Sequence, residues 1–240
     1  MQLVGYESSP DAALLVADEG TVTRVALDPG TDLDYALGER HCAGVIQNGQ
    51  HDTCSNTGAP WCQVHTDHWH EGLIEEREDE HVVYLAAFAP ATFKVGITRT
   101  WRLDTRLREQ GADCGAHIFT VPDGQVAREV ESDVGSDIGE RVRVATKIRG
   151  LHRLVDDDAW ADLLDEFAVI DEFSFDYGLD LTDQPVPETL AAGTVVGVQG
   201  RVLVLEAGGT HYAVDLRSLV GYDVEPGGDE QPRQSSLGAF

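Results

Sequence analysis

Residues 41–70, HCAGVIQNGQHDTCSNTGAPWCQVHTDHWH, hold three of the chain's four cysteines. Cys42, Cys54, Cys62 and His65 make a Cys-x11-Cys-x7-Cys-x2-His pattern in a segment short of apolar side chains. Such a segment cannot fold by burial, so something else must hold it. Thiolates and imidazole are the ligands a tetrahedral Zn²⁺ prefers, and a closed set of three Cys and one His leaves no open position for substrate. The pattern predicts a structural zinc knuckle. His41, His51, His68 or His70 could replace His65, and three unrelated thiols are the alternative to a metal.

A second chemical signal is charge that opposes its surroundings. Between Lys94 and Arg108 lie five basic residues, Lys94, Arg99, Arg102, Arg106 and Arg108, against the single acid Asp104. The whole chain has 43 Asp plus Glu and 17 Lys plus Arg, so an even spread would put about one basic residue there. A second window, Arg141 to Arg153, carries Arg141, Arg143, Lys147, Arg149 and Arg153. Each window alone could be a solvated face. Together, in so acidic a chain, they point to one basic surface for an anion such as phosphate, and hence to a nucleic-acid partner, DNA or RNA.

The net charge of −26 would by itself exclude a polyanionic partner. Its distribution speaks against that. Asp and Glu are scattered through every segment, and Lys94 and Lys147 are the only lysines. This resembles the acidic, Lys-poor surfaces of extreme halophiles, in which charge answers to solvent. At 240 residues and 42% hydrophobic content the chain can bury a real core. No run approaches 18 apolar residues and MQLVGYESSP lacks the order of a secretion signal, so no membrane span and a cytoplasmic location are expected, where a disulfide would be unusual. The sequence is silent on oligomeric state.

The elements that must position these residues give an α+β reading. Residues 1–40 alternate modestly and predict a small β region; 41–70 are the knuckle; the charge run 71–80 is a solvated linker. Val82–Ala87 and Phe93–Thr98 flank Ala-Pro-Ala as a hairpin, a helix follows, Ala116–Val121 is a third strand, and 125–138 has helical spacing. The order over 81–150 is thus β-β-α-β-α. A helical connector spans 151–184, with an apolar face from Trp160 to Ile170. Residues 185–225 read as a second small β-sheet or barrel, and 226–240 as a disordered tail. Cys114 and His117 read as structural.

Val82-Val-Tyr84 and Lys94-Val-Gly-Ile-Thr, with Arg106 on the next helix and an acid on the second, resemble the GIY-YIG endonuclease superfamily. More of the chain, from about 40 to 222, is similar to domain-of-unknown-function family 2797, in a haloarchaeal-type member, through V-Y-L-A, K-V-G-I-T-R, Q-G-A and Gly-Val-Gln-Gly-Arg-Val-Leu. The superfamily resemblance implies Mg²⁺-dependent hydrolysis of a phosphodiester. It would make Tyr84 a partner in deprotonating water, Arg106 the group neutralising phosphate charge, and Glu131 the Mg²⁺ ligand, with Glu129 as the alternative carboxylate. Val82 stands where the superfamily has Gly, and Lys94 where many members have Tyr. Lys94 suits a base of lowered pKa or a phosphate contact equally, so a non-catalytic RNA-binding module with a degenerate nuclease fold is the other expectation.

Overall fold

A computed structural model describes residues 1–66 and 79–228 of the chain. Its strands in the first part are β1 (Gln2–Glu7), β2 (Ala13–Asp18), β3 (Thr21–Ala26), β4 (Asp32–Arg40), β5 (Val45–Gln47) and β6 (Gln50–Asp52), followed by helix α1 (Gln63–Thr66). The central part is β7 (His81–Phe88), β8 (Thr92–Arg99), α2 (Leu103–Gln110), β9 (Cys114–Val121), α3 (Gly124–Ile138), α4 (Val144–Gly150), α5 (Asp157–Leu164) and β10 (Asp171–Ser174). The last part is β11 (Val186–Pro187), β12 (Ala191–Gln199), β13 (Val202–Ala207), β14 (Thr210–Asp215), α6 (Leu216–Leu219) and β15 (Tyr222–Pro226). Among the described residues no helix is long and apolar enough to cross a membrane.

The two ends of the chain build one sheet, where two separate β units were expected at 1–40 and 185–225. Its order is β11-β14-β13-β12-β4-β15-β1-β2-β3-β6-β5. Strand β4 makes the join, pairing with β12 through Leu33 and Gly193 and with β15 through Leu37 and Val224. Leu14 on β2, Leu203 and Leu205 on β13 and Val214 on β14 bury in one cluster. Among the described residues the cluster is built from the strands' own apolar side chains together with Leu216 and Leu219 of the short α6. Strand β15 runs to Pro226, opposite Tyr35, so the first residue of the expected tail is in the sheet, and 229–240 lie outside the described residues. So does 71–78 of the expected linker.

The central sheet, ordered β10-β9-β7-β8, is antiparallel throughout. Strand β7 is buried on both faces, which explains why VVYLAAF reads as a continuous apolar run. Val82, Tyr84, Ala86 and Phe88 face α2 and its Leu103 and Leu107. Val83, Leu85 and Ala87 face the other way, toward Val130 and Val134 of α3 and Trp160 of α5. The expected long connector helix is shorter than its apolar pattern: α5 stops at Leu164, and residues 171–174 add β10 to the sheet edge beside β9. Phe173 and Phe175 there belong to the cluster under α2, so tertiary pairing overrode a periodicity that suits a helix.

Candidate functional site

The knuckle folds as a tight cluster. Three thiols, of Cys42, Cys54 and Cys62, and the His65 ring place one ligand atom each within 4.8 Å of one another. Cys42 Sγ and Cys62 Sγ stand 3.1 and 3.4 Å from His65 Nδ1. Ligands at the corners of a tetrahedron around Zn²⁺ are about 3.5–3.8 Å apart, so the set could hold a metal such as zinc with little movement. Local backbone explains the short Cys-x2-His spacing: Cys62 precedes α1, its carbonyl accepts from the His65 and Thr66 N–H groups at 2.9 Å each, and one helical turn swings the imidazole back over the thiol. The Gly44 and Cys62 N–H groups point at Cys42 Sγ, at 3.4 and 3.3 Å, as amides do toward a thiolate ligand.

Two of the histidines weighed as alternatives to His65 are engaged elsewhere. His51 is buried and bonds the Ala43 carbonyl at 2.8 Å. His41 bonds the Cys54 carbonyl at 2.9 Å and the Asp223 carboxylate at 3.1 Å, tying the knuckle to β15. His68 and His70 lie outside the described residues.

The second site forms at the outer edge of β8. Lys94 and Gly96 on this strand lie opposite Ala86 and Tyr84 of β7, on the α2 face. Helix α3 runs along the opposite face; beyond its end the chain turns at Gly139, at φ +94°, whose carbonyl accepts from Val95 N–H at 3.0 Å, and this turn brings Glu140 and Arg141 to Lys94. After this turn Val142 packs into the cluster under α2. Gly135, in the last turn of α3, is where the Glu140 side chain folds back over the helix, since a Cβ there would stand 2.9 Å from Glu140 Cγ and 3.3 Å from Val95.

Lys94 therefore feels groups from α2, from α3 and from the turn that follows α3. Burial lowers its pKa to about 8, Arg106 and Arg141 push the same way, and Glu131 and Glu140 oppose them. Its ammonium lies 6.0 Å from the centre of the Tyr84 ring. Glu131 is half-buried, and its pKa is raised by burial and by Glu140, against the pull of Lys94, Arg128 and Arg106. Glu129, the other carboxylate weighed from the sequence, is exposed and accepts from Gln125. Tyr84 is 1% exposed, and its hydroxyl accepts from the Gln110 side-chain amide. Burial raises the phenol pKa, offset in part by that amide and by Arg106.

The motif Gln110-Gly111-Ala112 holds this arrangement to the rest of the molecule. Gly111 ends α2 in the left-handed region at φ +68°, with Ala112 N–H bonding back to Leu107 at 3.1 Å. A side chain there would also meet the Gln199 carbonyl at 2.8 Å, so the turn between β12 and β13 sits directly on it. The Gln110 carbonyl accepts from Lys147 Nζ at 2.6 Å.

Below α2 lies a cleft of about 510 Å³ lined by Arg106, Glu109, Gln110, Arg143, Lys147 and Arg201, with Tyr6 and Ser8 from the large sheet. Burial lowers the Lys147 pKa to about 8, helped by Lys94, Arg201 and Arg106. Arg201 is aimed by Asp215, at 2.7 Å.

Of the basic residues singled out from the sequence, Arg106, Arg143 and Lys147 line this cleft and Arg141 lies beside Lys94. Arg99, Arg102 and Arg108 pair with Asp79 at 3.5 Å, Glu109 at 2.8 Å and Asp104 at 2.8 Å, and Arg149 bonds Thr146. Cys114 is half-buried, and His117 is buried, bonding Thr120 at 2.9 Å. Glu140, Tyr6 and Arg201 were not anticipated; the one signal for Arg201 was the Gly-Val-Gln-Gly-Arg run.

A model of the family described as Protein of unknown function (DUF2797) matches residues 39–172. The chain belongs to this family. The matched stretch holds the Cys3His cluster, β7–β9, α2 and α3 of this DUF2797 protein, whereas Tyr6 on β1 and Arg201 in the turn between β12 and β13 lie outside it. Neither the curated proteins nor the solved structures gave a match.

Proposed function

We propose that this DUF2797 protein is a zinc-containing, nucleic-acid-processing protein whose central unit is of the GIY-YIG type and hydrolyses a phosphodiester of DNA or RNA with Mg²⁺. The observation that carries the reading is the meeting of Lys94 from β8, Arg106 from α2 and Glu131 from α3 beside Tyr84, against a cleft lined by four cations. A phosphate gains negative charge as it is attacked. Arg106, on the cleft wall and next to Lys94, is placed to offset that charge. Lys94 suits the role of base better than Tyr84: with a pKa of about 8 a useful fraction is neutral near neutral pH, whereas the phenol is buried and shifted upward. Tyr84 then serves as a positioning residue between Gly96 and Gln110.

Glu131, with Glu140 close by, is the hard-oxygen donor set that Mg²⁺ takes beside its own waters. When bound, the ion would add Lewis-acid neutralisation of the phosphate oxygens. The Cys3His cluster has a structural role in this account: it pins a segment with little apolar surface to β15 through His41. The acidic surface is read as adaptation to concentrated salt. Incubation with labelled single-stranded, duplex and structured substrates in high KCl with Mg²⁺ tests the reading. Cleavage that persists in Glu131→Gln and Arg106→Ala would sink these roles.

One observation favours a second reading, a binding module without cleavage. Tyr84 is 1% exposed with its hydroxyl already occupied by Gln110, so it is closed to substrate. This version predicts binding that fails on charge reversal at Arg143 and Arg201, and no metal-dependent product.

A further inference from the structure

Among the described residues, Trp101 stands out as a large aromatic side chain left in solvent, at 73% exposure. It sits in the short 3₁₀ turn Thr100–Arg102 that joins β8 to α2, the two elements carrying Lys94 and Arg106. Nothing in the packing of the described residues accounts for it: the cluster under α2 is filled by Leu103 and Leu107, which follow it. Exposing an indole costs solvation, and an exposed aromatic side chain rimmed by charged and polar groups marks a contact surface.

Those surroundings lead from Trp101 to the cleft by direct contacts. The Arg102 guanidinium lies 5.9 Å from the centre of the Trp101 ring. Arg102 also bonds Glu109 at 2.8 Å, and the second oxygen of Glu109 is 3.3 Å from Arg106. Glu109 and Arg106 both line the cleft. The carboxylate thus fixes two guanidinium groups in a row, and the indole ends the row. A strand whose phosphate reaches Arg106 would carry its neighbouring bases along this ridge.

We propose that Trp101 is a stacking platform for an unpaired nucleobase next to the phosphate held at Arg106, which makes single-stranded or locally unpaired nucleic acid the preferred substrate. The inference rests on the nucleic-acid reading above and adds its substrate class. Bases within a duplex already stack on each other and cannot cover the indole, whereas an unpaired base offers its face at no further cost. Stacking also suits concentrated salt, which removes most of the ion-release contribution to binding and leaves ring contacts intact.

The test uses the full chain and three fluorescein-labelled 12-mers: oligo-dT, the same backbone with abasic sites in its centre, and a blunt duplex. Anisotropy in high KCl gives affinities for wild type, Trp101→Ala, Trp101→Phe and Arg143→Glu. Loss of one base stack weakens binding by about 5- to 160-fold. Trp101→Ala is expected to lose that factor on oligo-dT and nothing on the abasic strand, while Trp101→Phe keeps most of the affinity. Equal affinity of wild type and Trp101→Ala for oligo-dT, with binding still lost in Arg143→Glu, overturns the platform and leaves the cleft standing. No binding of any strand by wild type overturns both. Circular dichroism of Trp101→Ala separates a local effect from misfolding, and an unfolded variant hands the decision to Trp101→Phe and the abasic strand on wild type.

Discussion

The Tyr84 ring lies across the backbone of Gly96, its partner on the neighbouring strand, so closely that a Cβ on Gly96 would stand 2.5 Å from the phenol oxygen and 2.6 Å from Cζ. The glycine of the Lys-Val-Gly motif is thus the space into which the tyrosine of the Val-Val-Tyr motif fits. The two motifs are one object. Gly96→Ala must push the ring off its seat and away from Gln110, and overpacking of this kind costs about 1–3 kcal/mol. Denaturant unfolding checks it. Tyr84→Phe, which keeps the ring and drops only the hydroxyl bond, should cost about 1 kcal/mol. Equal stability of wild type and Gly96→Ala would contradict the packing.

The Cys3His cluster predicts one zinc per chain by elemental analysis of native protein. Cys62→Ala and chelation should both release it and lower the melting temperature. Substituting His41, which bonds Cys54 and Asp223 but does not join the cluster, should lower the melting temperature while zinc stays at one per chain. Zinc well below one per chain in the native protein ends the metal reading.

Two lysines make binding depend on pH. Lys94 and Lys147 both have pKa values lowered to about 8, chiefly by burial. A lysine depressed in the folded state holds fewer protons than the unfolded chain between the two values, so stability should rise as pH climbs from about 8 toward the ordinary lysine range. Over that window phosphate affinity should move the opposite way, because the cleft loses positive charge. Lys147→Met should flatten part of both slopes, read by unfolding and by anisotropy across pH 7–10. A binding curve that is level through pH 8 in wild type would contradict the placement of these ammonium groups.

Arg143 and Arg201 come from distant parts of the chain yet line the same cleft. Replacing either with Ala should weaken nucleic-acid binding similarly across sequences and lower the salt slope by about one unit. Arg99→Ala, outside the cleft and paired with Asp79, should leave the slope unchanged.

How far the sequence could be read depended on the range of the forces involved. The order β7-β8-α2-β9-α3 is local: two short apolar runs around Ala-Pro-Ala, a Gly-capped helix and a run with helical spacing each announce themselves. The Cys3His cluster was legible because a segment with few apolar residues and three cysteines has few ways to fold. The large sheet was not, since nothing near Leu33 says that its partner is Gly193, and pairing across 160 residues leaves no trace in periodicity. Residue β10 positions were hidden in the same way, because Phe173 continues a helical pattern but finds its partners on β9 and under α2. Arg201 and Tyr6 belong to the cleft only through that long-range sheet. Glu140 joins Glu131 only because Gly139 turns the chain over the edge of β8, a geometry its sequence neighbours do not encode.

The central claim is that Lys94, Arg106 and Glu131 act together on a phosphodiester, and metal-dependent cleavage by Glu131→Gln at matched binding tests it most directly. With a labelled single-stranded substrate in high KCl and Mg²⁺, wild type should cleave, and Glu131→Gln should bind as well but cleave on the order of 100-fold more slowly. Wild type that binds the substrate and yields no Mg²⁺-dependent product, or Glu131→Gln that cleaves at the wild-type rate, would contradict the account.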